Sequence, residues 1–159
     1  MDVLPNPPVV SVEIQMEFAG PSKDPTFSRS SVSPPNARVS VSPDGSIDLS
    51  YVPGWVVITF KIKDNGSDYK VKFPNEARDS FTYADNADET KKSWESGDQF
   101  SDLDVDGNKL ILCYTNNNAY PFSRYGIKYL LDGKDHYYDP RIKNGVSTGI
   151  AKPRCRLPN

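Results

Sequence analysis

Val10-Ser11-Val12-Glu13-Ile14-Gln15-Met16-Glu17-Phe18 decides the fold class. Apolar and polar residues alternate strictly along this stretch. A period of two places the apolar side chains on one face of an extended strand and the polar ones on the other. The pattern returns in residues 55–63, where Val56, Ile58, Phe60 and Ile62 share a face. It returns again in residues 123–131 with Tyr125, Ile127, Tyr129 and Leu131.

Turn chemistry separates these runs. Pro43-Asp44-Gly45 joins residues 37–42 to 46–51, because proline presets φ and glycine accepts a positive φ. Asn65-Gly66 suits a type I′ turn and predicts a hairpin between residues 55–63 and 69–73. Asp106-Gly107-Asn108 leads into the apolar run 109–115. Asp132-Gly133 leads into a partner strand, residues 136–143, interrupted by Pro140, which cannot donate to a sheet ladder. Residues 80–83 read as a short strand. Residues 88–94 read as one or two helical turns, with Glu89 and Lys92 three apart. Residues 20–36 carry prolines and serines without periodicity and read as a long loop or an edge excursion. The basic tail from about residue 145 reads as loose.

Composition agrees with strands. Val, Ile, Thr, Tyr, Phe and Trp number 45, against 24 for Ala, Leu, Glu, Met and Gln. Helical runs do not alternate with the strands, so a parallel α/β sheet is not expected. The 159 residues read as one all-β domain, an antiparallel β-sandwich immunoglobulin-like in architecture. A jelly roll or small barrel is the alternative.

The net charge of −2 excludes a strongly basic nucleic-acid binder. It conceals an acidic middle and a basic C-terminal part. Complementary charge of this kind suits a homo-oligomer or a protein partner. No apolar run approaches the length of a membrane span, and no signal-like segment opens the chain, so a cytoplasmic location is expected. Cys113 lies within an apolar run and reads as a buried, inert thiol; Cys155 stands among basic residues.

The chemistry-bearing residues form no catalytic constellation. His136 is the single histidine and sits beside a turn; no nucleophile elbow or phosphate-cradling loop occurs. Asp102, Asp104 and Asp106 precede Gly107 as the first ligands of an EF-hand do, a spacing that suits Ca²⁺. The position that should hold a bidentate Glu holds Cys113, so a plain acidic strand face is the competing reading. The aromatic residues Trp55, Trp94, Tyr114, Tyr120, Phe122, Tyr125, Tyr129, Tyr137 and Tyr138 either fill the core or form a recognition platform. Tyr120, Phe122 and Trp94 are the ligand-contacting candidates among them.

Tyr125-Gly126-Ile127-Lys128-Tyr129 followed by Tyr138-Asp139-Pro140-Arg141-Ile142-Lys143-Asn144 resembles the last hairpin of small bacterial β-sandwich proteins, the inclusion-body PixA/AidA-like and DP-EP families. That resemblance implies a compact sandwich and brings no catalytic residues. The expected function is a non-catalytic binding or self-association module. The alternative is a glycan-binding or glycan-processing protein that uses the acidic loop and the aromatic residues.

Overall fold

The computed structural model describes residues 10–18, 24–52, 54–63, 70–88, 90–94, 100–116 and 121–144. Its strands are β1 (Val10–Glu17), β2 (Thr26–Ser33), β3 (Ser40–Val41), β4 (Ile47–Asp48), β5 (Val56–Ile62), β6 (Val71–Lys72), β7 (Phe81–Ala84), β8 (Lys92–Ser93), β9 (Phe100–Asp106), β10 (Lys109–Tyr114), β11 (Phe122–Leu131), β12 (Lys134–Tyr138) and β13 (Arg141–Lys143). A single 3₁₀ turn, Ala77–Ser80, is the one helical element among the described residues. One sheet runs β2-β1-β5-β10-β9; the other runs β3-β4-β13-β11-β7-β8, with β12 and β6 flanking the far half of β11. The two open sheets pack face to face as a sandwich, not a closed barrel.

The alternating runs bury the faces their sequence marks. Val12, Ile14 and Met16 of β1, and Ile58 and Phe60 of β5, are buried. Tyr125, Ile127 and Tyr129 of β11 meet them from the other sheet. Aromatic rings link the layers: Phe60 lies 5.4 Å from Tyr125, Phe81 5.4 Å from Phe100, and Tyr83 5.0 Å from Phe100, centroid to centroid. Such contacts add roughly 0.5–1.5 kcal/mol each beyond their buried area.

Several local expectations change. Residues 26–33 are not loop but the edge strand β2, paired antiparallel with β1. Only Phe27 of this serine-rich strand is buried, so no period-two hydrophobic signal marks it. Its neighbour β1 supplies the ladder, and a bulge between Glu13 and Ile14 shifts the register there. Residues 56–62 and 71–72 do not form a hairpin. β5 pairs with β1 and β10, whereas β6 pairs with β11 in the opposite sheet. The segment carrying Asn65-Gly66 lies outside the described residues, as do residues 19–23 and the tail from 145. No helical turn occurs at residues 90–94; β8 there pairs with β7. Two ladders, β1 with β5 and β4 with β13, are parallel within an otherwise antiparallel sandwich.

Other turns match the sequence. β9 and β10 pair across Gly107, at φ +60°. Asp132 and Gly133 both have positive φ, as the hairpin between β11 and β12 requires. Pro140 divides the return strand. β12 pairs with residues 127–131 of β11, and β13 with residues 122–124. Gly45, at φ +86°, also sits tightly: a Cβ there would lie 3.0 Å from the Phe27 ring.

Buried polar groups tie the sheets together. The Tyr114 hydroxyl reaches from β10 to donate to Ser123 Oγ at 2.8 Å, and Asn144 Oδ1 also contacts it. Asn144 Nδ2 donates to Ser123 Oγ at 3.1 Å, and Ser123 Oγ donates to the Asp85 carbonyl at 2.6 Å. The Tyr125 hydroxyl donates to the Gly45 carbonyl at 2.5 Å. Asn116, in the left-handed region, donates to the Val52 carbonyl at 2.6 Å. Burial pushes the Tyr114 and Tyr125 hydroxyls far above the usual tyrosine range.

The sign of the resulting pH dependence follows. Above about pH 10 an unfolded tyrosine loses its proton while these two folded ones keep theirs, so the unfolded state gains. Their contribution is intact below that pH and declines as pH rises. Stability measured by urea unfolding should fall by about 1.4 kcal/mol per pH unit per buried tyrosine once pH exceeds ~10. Tyr114→Phe should flatten part of that slope. An unchanged stability between pH 9 and 12 would contradict the burial of both hydroxyls.

Candidate functional site

A concavity among the described residues lies on the outer face of the larger sheet. It is an open groove of about 470 Å³ lined by Arg78, Asp79, Phe81, Thr82, Trp94, Lys128 and Tyr137. That volume lies in the range of small-molecule sites. Four kinds of local structure build it. The 3₁₀ turn is closed by the Asp79 N–H donating to the Glu76 carbonyl at 3.0 Å, and by the Ser80 hydroxyl donating to the Ala77 carbonyl. Ser80 is thereby buried while Arg78 and Asp79 stand exposed at the rim.

β7 then alternates. Phe81 and Tyr83 enter the core, and Thr82 stays half-buried on the outer face. Trp94 follows β8 and rests on those two core rings, 5.8 Å from Phe81 and 5.6 Å from Tyr83, edge to face. Its position is therefore set by the core rather than by solvent. Lys128 and Tyr137 complete the groove as direct cross-strand partners on β11 and β12. Tyr137 is 59% exposed, with Lys128 Nζ over its ring.

The charges here are mostly compensated. Lys128 Nζ lies 3.1 Å from Asp135 Oδ2 and 5.7 Å from the Tyr137 ring centroid. The Asp135 carboxylate holds its ammonium above the usual lysine range. Arg78 and Asp79 are successive residues of opposite sign. The lining thus offers a forked donor, a carboxylate acceptor, a hydroxyl and two aromatic surfaces.

Gly126 sits beside Thr82 in the ladder between β11 and β7. A Cβ there would lie 2.5 Å from Thr82 Oγ1 and 2.9 Å from Asp139 Oδ1. Lys91 pairs with Asp139 over the same spot. Glycine at this position lets the outer side chains close over the sheet.

The residues singled out from sequence separate. Trp94 lines the groove. Phe122 is 42% exposed but is not part of this lining, and Tyr120 lies outside the described residues. Tyr114, Tyr125 and Tyr129 are core residues, while Tyr138 is half-buried and stacks on Phe27. His136 stacks on Tyr129 at 5.4 Å, nearly parallel, which is a packing role. Asp104 and Asp106 are exposed on β9, and Asp102 sits at a bulge with φ +48°. The bulge breaks the alternation that would have aligned the three carboxylates. Among the described residues no group of three carboxylate, histidine or cysteine side chains gathers to hold a metal ion. Arg78, Asp79, Thr82 and Lys128 carried no sequence signal. Tyr137 stood among the aromatic residues read as either core or platform, and the structure places it on the platform side, 59% exposed.

Cys113 is buried and disulfide-bonded, which corrects its reading as a free thiol. The chain's other cysteine, Cys155, lies outside the described residues. The chain matches no family model and no curated protein in sequence. No helix among the described residues is long and apolar enough to cross a membrane.

Two outcomes follow. Protein kept free of reductant and then denatured should show no reactive thiol with Ellman's reagent, and two after reduction; thiols seen before reduction would contradict the disulfide. Gly126→Ala should destabilise the fold by roughly 1–3 kcal/mol through the clash with Thr82, measured by chemical unfolding. An unchanged midpoint would show that the outer layer yields freely.

Proposed function

We propose that this chain is a non-catalytic binding module whose ligand occupies the groove between Trp94 and Tyr137. The observation carrying the reading is the convergence of an exposed tyrosine, a core-anchored tryptophan and the polar groups of Arg78, Asp79 and Thr82 in one cleft. Rigid aromatic surface beside a few directed polar groups is the usual chemistry of small-ligand recognition.

Hydrolysis of a glycan fits less well. It calls for two carboxyl groups about 5–10 Å apart across the bond to be cleaved. Among the described residues Asp79 is the one carboxylate lining the groove. The resemblance of the last hairpin to PixA/AidA-like and DP-EP proteins favours the same non-catalytic reading, and we read the sandwich as immunoglobulin-like in architecture. Cytoplasmic residence has the disulfide at Cys113 against it, since thiols there are held reduced.

Self-association through the long edge strand β2 is the competing route, and that edge is guarded. The Phe27 N–H donates to the Pro43 carbonyl at 2.9 Å, and the Arg29 guanidinium donates to the Val39 carbonyl at 2.9 Å. The Ser30 hydroxyl turns back to the Glu13 carbonyl at 3.1 Å beside the bulge. Capped and bulged edges resist strand addition.

Protein-observed NMR with a library of small aromatic and polyol fragments tests the reading. Amide shifts should cluster at residues 78–82, 94, 128 and 137. Clustering at the hollow lined by Pro34, Arg38 and Tyr51, or no clustered response, would refute it.

A further inference from the structure

We infer that the ligand of this groove is an uncharged saccharide, a deduction that rests on the binding-module reading above. Three features of the lining carry it. First, the charges at the groove are of mixed sign. Arg78 and Asp79 are neighbours in sequence, and Lys128 is paired with Asp135, just outside the lining, at 3.1 Å. A phosphate or carboxylate ligand would meet the Asp79 carboxylate without a surplus of positive charge to offset it. A cationic ligand would meet Arg78 and Lys128.

Second, the polar groups suit vicinal hydroxyls. A carboxylate accepts two O–H donors at once, a guanidinium offers a fork of N–H donors to hydroxyl oxygens, and Thr82 both donates and accepts. Hydroxyl pairs on a pyranose ring present donors and acceptors together, which few other uncharged ligands do. Third, the apolar surface is aromatic and placed on a rigid base. Trp94 rests on Phe81 and Tyr83, and Tyr137 stands 59% exposed on the neighbouring side. The C–H face of a sugar ring covers such a ring at little entropic cost, because each aromatic side chain has only two torsions to fix.

The groove is open, so it admits an internal unit of a longer chain as readily as a single sugar. A volume of about 470 Å³ holds one or two rings. Asp79 is the one carboxylate lining the groove among the described residues, where hydrolysis would call for two, and this favours a saccharide that is held over one that is cleaved.

Isothermal titration of the full chain with neutral oligosaccharides (cello-, xylo-, malto- and chito-trioses), and with trigalacturonate as the acidic counterpart, tests the inference. At least one neutral series should bind, with an affinity little changed by 0.5 M NaCl because no net charge is neutralised. Tyr137→Ala should weaken it about tenfold or more, and Tyr137→Phe should restore most of the affinity, since the ring face supplies the contact. Asp79→Asn should weaken it about tenfold through loss of a charged acceptor. Tyr137 and Asp79 are exposed, so both variants keep the fold, checked by their thermal midpoints. Binding of trigalacturonate alone, with steep salt dependence, would overturn the neutral-sugar inference while leaving the groove as the site. Binding by none of the sugars would overturn the saccharide class. Fragment mapping uses no sugar and separates that result from a failure of the groove itself.

Discussion

Phe81 is the residue through which the core and the groove constrain each other. Its ring stacks on Tyr125 inside the sandwich and lies 5.4 Å from Phe100 of the facing sheet. Trp94 meets the same ring edge to face at 5.8 Å. Rings packed this way have few alternative arrangements, because the interior is as dense as an organic crystal. The groove wall therefore inherits the rigidity of the core, and a ligand there pays little to order it.

The polar groups inside the sandwich serve the same end. Tyr114 and Tyr125 bring hydroxyls into an apolar layer, where an unmet donor would cost about 1–3 kcal/mol. Each is met by a partner from another element: Ser123 and Asn144 for one, the Gly45 carbonyl for the other. These bonds have fixed directions, so they set how one sheet lies on the other, which hydrophobic contact alone does not. Gly45 shows how tight the arrangement is, since it must hold a positive φ and leave space for the Phe27 ring while its carbonyl faces Tyr125.

The outer face of the larger sheet follows different rules. Its long side chains are kept in place by pairing, Lys128 with Asp135 and Lys91 with Asp139. Exposed pairs of this kind add little stability. Their effect is on placement, since they hold cationic side chains against the sheet and leave Tyr137 and Asp79 accessible beside the core-anchored tryptophan. Recognition there depends on arrangement more than on net charge.

Alternation determined the strong strands. Residues 10–18, 55–63 and 123–131 each carry enough apolar side chains at period two to name their buried face, and the structure buries those faces. Asp-Gly turns determined two hairpins, because positive φ is a local property. What tertiary structure decided was everything without a local cause. β2 is a strand because β1 offers it a ladder, not because Ser28, Ser30 or Ser31 prefer one. β5 and β6 part into different sheets because each finds its partner far along the chain. Asp102 leaves the line of Asp104 and Asp106 through a bulge set by pairing with β10. The groove draws on the 3₁₀ turn, β7, the residue after β8, β11 and β12. Strand order brings those distant positions together, and strand order depends on long-range pairing that a single sequence does not encode in any local pattern.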